Sequence, residues 1–188
     1  IVDMADGIER MPATGSHDGG DGEHLDPHVW LSPRLVKVQA ENVAELLAEL
    51  DPAHGTDYQA NLEALLADID ALDAEIRDAL ANAPNRKFMV FHPSWGYFAR
   101  DYDLEMIPIE VGGQEPSAAE LAALISEARL SNIKVVFAQP ELNSRTADAI
   151  ASELEGRVLL ISPLEQDWLE NMRQVAAAFA EAFAESAE

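Results

Sequence analysis

After Pro84 the chain alternates four times between a short apolar run and a stretch of helical periodicity. The runs are Lys87–Phe91, Met106–Ile109, Ile133–Ala138 and Val158–Ile161, all of strand length. Their continuous apolar character marks strands covered on both sides, whereas half-exposed strands alternate polar with apolar. Between and after them lie a short helix over Ser94–Tyr102 and a helix with Leu121, Leu124, Ile125 and Ala128 on one face. Two more follow, one capped by Asn143 and running to about Leu154, and one carrying Trp168, Leu169, Met172, Val175, Phe179 and Phe183. Ser117 and Glu120 have the spacing of a capping box at the start of the second. The predicted fold class is therefore α/β, a parallel sheet with helices on both faces. Pro108 assigns its strand to an edge or an interruption.

The region before Pro84 has a different texture. Ser32 is a good N-cap and Pro33 suits the first helical position. Leu35, Val36, Val43, Leu46 and Leu47 follow at helical spacing, and Asp51-Pro52 ends the run. A second helix is predicted from Thr56, with Gln59 completing a capping box. Its stripe is Tyr58, Leu62, Leu65, Leu66, Ile69, Leu72, Ile76 and Leu80. At about 27 residues it spans roughly 40 Å, the length of a strut more than of a packing element. Residues 1–55 hold at most one strand, at Ile1–Met4, and one good helix. One strand cannot make a sheet, so this part is expected to be the remainder of an N-terminal lobe. The predicted organisation is thus 1–55 as an incomplete lobe, 56–84 as a long linking helix and 85–188 as the α/β lobe. Without an initiating Met, the chain is expected to begin inside a longer protein. Residues 13–25 form a glycine- and aspartate-rich loop that contains His17 and His24.

Charge narrows the partners. Of 188 residues, 35 are acidic and 12 basic, a formal net charge of −23. Nucleic acid and anionic membrane surfaces would be repelled, whereas cations would be attracted. Solubility and adaptation to salt are the other uses of such a surface. Cysteine is absent, so any metal site must use His, Asp or Glu. No apolar run approaches the ~18 residues of a membrane span, and the first residues are too acidic for a signal peptide.

In a parallel α/β sheet, function collects beyond the C-terminal ends of the strands. Those loops begin His92-Pro93-Ser94-Trp95, Glu110-Val111-Gly112-Gly113, Gln139-Pro140-Glu141 and Ser162-Pro163-Leu164-Glu165. His92 follows its strand directly. His28 lies in a stiff turn before a helix, where Asp26 can orient its ring. Each histidine alone reads equally well as a hydrogen-bonded structural residue. No His-Glu-x-x-His, Gly-x-Ser-x-Gly, Gly-x-Gly-x-x-Gly or P-loop is present. Trp95, Tyr97 and Phe98 read as core, and Glu110 with Glu115 as a coincidence in an acid-rich chain.

Four segments together resemble a known family. They are Asp26-Pro27-His28-Val29-Trp30-Leu31-Ser32-Pro33, Phe91-His92-Pro93-Ser94-Trp95-Gly96-Tyr97-Phe98, Glu115-Pro116-Ser117 and Pro163-Leu164 with Trp168-Leu169-Glu170-Asn171-Met172. In order and spacing over nearly the whole chain they resemble the zinc-uptake solute-binding proteins of ABC transporters, the ZnuA/TroA-like metal receptors. The resemblance implies two α/β lobes joined by a long helix, with the metal between them and His28 and His92 as ligands. It implies a receptor, not an enzyme, that is periplasmic or extracellular and delivers Zn²⁺ to an ABC permease. Histidine at the second position and an acidic, histidine-bearing loop resemble the zinc branch more than the manganese branch, and imidazole nitrogen suits Zn²⁺. The ligands must be deprotonated, so affinity is expected to fall as pH drops below the ~6.5 of free histidine.

The sequence departs from the family in two places. The family's first histidine ligand would lie upstream of Ile1, and its usual carboxylate after the last strand is matched by Ser162. Glu165, Asp167 or water are the candidates for the remaining position. An incomplete lobe would also expose apolar surface along the long helix, through which the chain could dimerise. Three other readings remain. One is a manganese or iron receptor of the same family. Another is a zinc hydrolase with Glu115 or Glu141 as base, and the third a receptor-derived adhesin or scaffold without a metal role.

Overall fold

The computed structural model describes residues 2–14, 24–110, 112–142 and 145–186. The four strands form one fully parallel sheet: β1 (Lys87–Val90), β2 (Glu105–Pro108), β3 (Val135–Ala138) and β4 (Arg157–Leu160), in the order β2-β1-β3-β4. The helices are α1 (Pro33–Leu50), α2 (Gly55–Leu80), α3 (Gly96–Asp101), α4 (Ala118–Leu130), α5 (Arg145–Glu153) and α6 (Trp168–Glu185). Single 3₁₀ turns at Val29–Leu31 and Pro52–His54 precede α1 and α2.

Both faces of the sheet are covered. Phe88, Val90, Val135 and Phe137 face one core, shared with Leu72, Ile76 and Leu80 of α2, Phe98 of α3 and Met172, Val175, Phe179 and Phe183 of α6. Their alternates Met89, Ile107, Val136 and Ala138 face a second core with Ala128 of α4 and Ala147, Ile150 and Ala151 of α5. The period-2 pleat divides each strand between the two cores, which is why the runs read as continuously apolar. Pro108 sits on the edge strand β2, as its missing N–H requires. The other edge is more open than its sequence suggests. Along β4 none of the four residues is fully buried and Leu160 is 60% exposed, because among the described residues no strand lies beyond it.

The caps follow the sequence in two places. Ser32 Oγ accepts from the Leu35 N–H with Pro33 at the first position of α1. Ser117 and Glu120 form the full capping box of α4. The box expected from Thr56 and Gln59 is absent: α2 starts at Gly55, fed directly by the 3₁₀ turn, and has no side-chain cap. Asp51 instead accepts from His54 Nδ1 and the Tyr58 hydroxyl. The strand expected at Ile1–Met4 is also absent among the described residues, where Met4–Gly7 form turns. Asn143, the expected cap of α5, lies outside the described residues.

Helix α2 is more than a strut. Ile69, Leu72 and Ile76 are fully buried, Leu72 and Ile76 within the core shared with the sheet and α6. Its lower end is tied to α3 by Asp73, which accepts from the Tyr102 hydroxyl and from Arg77. Burial pushes the Asp73 carboxyl up, but these hydrogen bonds and the charges of Arg77 and Arg34 outweigh it and hold the group below the usual carboxylate range. Burial and the same carboxylate push the Tyr102 phenol up. The first half of α2 packs beside α1. Between the two helices runs an open apolar groove of about 570 Å³, lined by Val36, Val43, Leu62, Leu65, Trp30 and Trp168 among others. This is the exposed apolar surface expected along the long helix.

Gly156 sets the approach of β4 to β3. A Cβ there would lie 1.7 Å from the Lys134 carbonyl oxygen, a backbone atom that cannot swing aside. That oxygen also accepts from the Arg157 N–H, the first bond of the ladder. Gly156→Ala is expected to lower stability by about 3 kcal/mol, the upper end of overpacking costs. Urea unfolding checks this, and a change below ~0.5 kcal/mol, the range of neutral surface changes, would contradict the packing described.

Candidate metal centre

The connection β1–α3–β2 leaves β1 toward one side of the sheet, and α4 then carries the chain back across to β3. The order reverses between β1 and β3, and crevices beyond the C-terminal ends of strands at such a reversal are where α/β sheets bind ligands. His92 stands there, two residues past the end of β1. His28 reaches the same place from the turn before α1. The two rings have centroids 5.4 Å apart in an edge-on arrangement.

Each ring is fixed at one nitrogen. Asp26 Oδ1 lies 2.7 Å from His28 Nδ1 and also accepts from the His28 backbone N–H. Asp26 is itself buried. Its carbonyl accepts from the Tyr97 hydroxyl, and its backbone N–H donates to Met11. Gly96 leaves room for it, since a Cβ there would come within 3.0 Å of Asp26 Oδ2. Glu110 Oε2 lies 2.7 Å from His92 Nδ1. The parallel register explains that contact: Val90 pairs with Pro108, so position 110 falls beside position 92 one step further along. A carboxylate on Nδ1 sets the tautomer that leaves the Nε2 lone pair available. Among the described residues neither Nε2 has a hydrogen-bond partner.

The spacing suits a shared ion. With metal–nitrogen bonds of about 2.0–2.1 Å and a tetrahedral angle, two imidazole centroids fall roughly 5 Å apart. Among the described residues no third histidine or carboxylate joins the pair in a set that could hold a metal. Asp167 instead caps α6, and Glu165 lies with Ser162 along a separate cavity of about 260 Å³ beside that helix. Ser162 Oγ donates to Glu141. Glu115 and His24 are exposed, whereas His17 and most of the 13–25 loop lie outside the described residues. The ends of that loop are drawn together by Ala13 N–H to His24 and Asp26 N–H to Met11.

Sequence reasoning anticipated Asp26 but missed Glu110, whose role depends on which strand neighbours β1. It also missed a pair of tryptophan hydrogen bonds. Trp30 Nε1 donates to the Pro163 carbonyl, and Trp168 Nε1 donates to the Trp30 carbonyl.

Fold and crevice define an α/β protein with a histidine pair at the sheet's point of reversal. The profile of the family described as "Zinc-uptake complex component A periplasmic" matches residues 1–182, and the chain belongs to that family. It is 34% identical over 167 residues to the high-affinity zinc uptake system protein ZnuA of Bacillus subtilis, covering 87% of this chain and 52% of that protein. It thus spans about half the length of that curated relative. A crystal structure of ZnuA superposes with a TM-score of 0.90 at 46% identity, covering 96% of this chain and 68% of that one. The laminin-binding protein Lmb of Streptococcus agalactiae, described as bifunctional with adhesin and metal-transporting activity, superposes at 0.84 with 25% identity, covering 97% and 70%.

Proposed function

We propose that this chain carries half of the zinc-capturing site of an extracytoplasmic receptor, with His28 and His92 as Zn²⁺ ligands through Nε2. The observation that carries this is the pair of imidazoles 5.4 Å apart, each held at Nδ1 by its own carboxylate. Nitrogen donors favour Zn²⁺ over Mn²⁺, which prefers oxygen. The remaining positions are taken by water or by donors outside the described residues. The zinc-uptake family supports periplasmic or extracellular placement and hand-over of the ion to an ABC permease. The ion is cargo, and the protein is a receptor without catalytic turnover. The −23 charge raises the local concentration of divalent cations around the crevice.

The test is a calorimetric titration of this chain with Zn²⁺, with Mn²⁺ as competitor. One-to-one Zn²⁺ binding that equimolar Mn²⁺ does not displace is expected. Displacement by Mn²⁺ would assign the crevice to the manganese branch. Chelator-sensitive turnover of a generic ester or peptide would make the protein a hydrolase and overturn the receptor reading.

A further inference from the structure

We propose that Trp30 is the positioning residue that sets where His28 stands relative to His92. Trp30 is pinned at both ends to the segment between β4 and α6. Its indole N–H donates to the Pro163 carbonyl at 2.9 Å, and its own carbonyl accepts from Trp168 Nε1 at 2.9 Å. These bonds join positions 133 and 138 residues apart. Their anchors are rigid: Pro163 is buried, Asn171 Nδ2 holds the adjoining Ser162 carbonyl, and Asp167 caps the helix that begins at Trp168. Such bonds are not automatic for the tryptophans of this chain, since the buried Trp95 Nε1 has no partner among the described residues.

Two residues before Trp30 is His28, and the two rings are in contact with centroids 5.3 Å apart. Val29 and Leu31 on either side are buried, so the turn has little freedom to pivot. Asp26 fixes which nitrogen His28 presents, while Trp30 fixes where the ring sits over the sheet that carries His92. The two-histidine geometry is thereby preformed within this chain. This rests on the metal reading only for its consequence in affinity, and the geometric part stands apart from it.

The experiment compares the 188-residue chain with Trp30→Phe, which keeps a ring against His28 but has no N–H for Pro163. Trp168→Phe removes the second bond from the other side. Without metal, ring-proton Overhauser cross-peaks between His28 and His92 are expected in the parent and strongly weakened in both variants, with thermal midpoints little changed. Zn²⁺ affinity is expected to fall about tenfold in each, the lower range for loss of a group that orients a metal ligand. If Trp30→Phe fails to fold, Trp168→Phe decides alone. Unchanged cross-peaks in a folded variant overturn the proposal. If the cross-peaks weaken while affinity stays constant, the positioning stands and the two-histidine metal reading fails. If His92→Ala abolishes binding while both tryptophan variants keep parental cross-peaks and affinity, the metal reading stands and the positioning role fails.

Discussion

Replacing His92 by alanine is expected to weaken Zn²⁺ binding by more than about a hundredfold, since loss of an orienting partner alone costs 10–100-fold and here the proposed donor itself is removed. The fold should tolerate the change. The His92 side chain is one-third exposed, and among the described residues its one hydrogen-bond contact is Glu110. The backbone it leaves behind stays anchored by Ser94 N–H to the residue-92 carbonyl and by the Gln139 Nε2 bond to Ser94 Oγ. Thermal unfolding should therefore separate loss of the ligand from loss of the fold. Titration with Zn²⁺ is the measurement, and parental affinity in a folded His92→Ala chain would remove the central functional claim.

The same substitution discriminates among the alternatives. A hydrolase using Glu115 or Glu141 would need a carboxylate near the metal, yet Glu115 is exposed and Glu141 accepts from Ser162. An adhesin or scaffold without a metal role would be indifferent to His92. A receptor of the proposed kind depends on it, because among the described residues only the two imidazoles come together as donors, and each would carry a large share of the affinity.

The sheet was legible because its signals are local. Continuous apolar runs imply burial on both faces, and Ser32-Pro33 and Ser117 to Glu120 cap their helices through contacts three residues apart. Thr56 to Gln59 misled for the same reason: the spacing is right, but the 3₁₀ turn at Pro52–His54 delivers the chain into α2 without needing a cap. The two histidines were paired only through the family resemblance, since neither their spacing nor any local motif joins them. Their meeting depends on strand order, and Glu110 on the β1–β2 register, neither of which is encoded in a local pattern. The exposure of Leu160 likewise follows from β4 ending the sheet, which its apolar sequence does not announce. Trp30 and Trp168, 138 positions apart, are the extreme case.

Phe179→Ala is expected to destabilise the chain by about 3–5 kcal/mol, the range for a large aromatic removed from a core. Phe179 on α6 is fully buried at the centre of an aromatic cluster drawn from four elements. Its ring lies 4.4 Å from Phe137 of β3, 4.7 Å from Phe88 of β1, and 5.2 Å from Phe98 of α3, against which it stacks. Trp95 and Phe183 complete the shell. Alanine would leave a cavity that these rings cannot readily fill, because Phe88, Phe137 and Phe98 are each held by a different strand or helix. For a chain of this size the melting temperature should drop by roughly 6–20 °C, taking about 2–4 °C per kcal/mol. Leu130→Ala, at a side chain 90% exposed, should stay within ~0.5 kcal/mol and serves as the comparison. The consequence reaches the crevice in a particular order. Trp95 rests on Phe179 and directly follows the His92-Pro93-Ser94 turn, so the lost packing lies beneath the loop that carries the proposed ligand. That turn keeps its own hydrogen bonds to Gln139 and within the backbone. Stability should therefore fall well before Zn²⁺ affinity does in molecules that remain folded. A loss of affinity equal to that of His92→Ala at a temperature where Phe179→Ala is folded would show that the aromatic core, and not the carboxylates at Nδ1, positions the ligand.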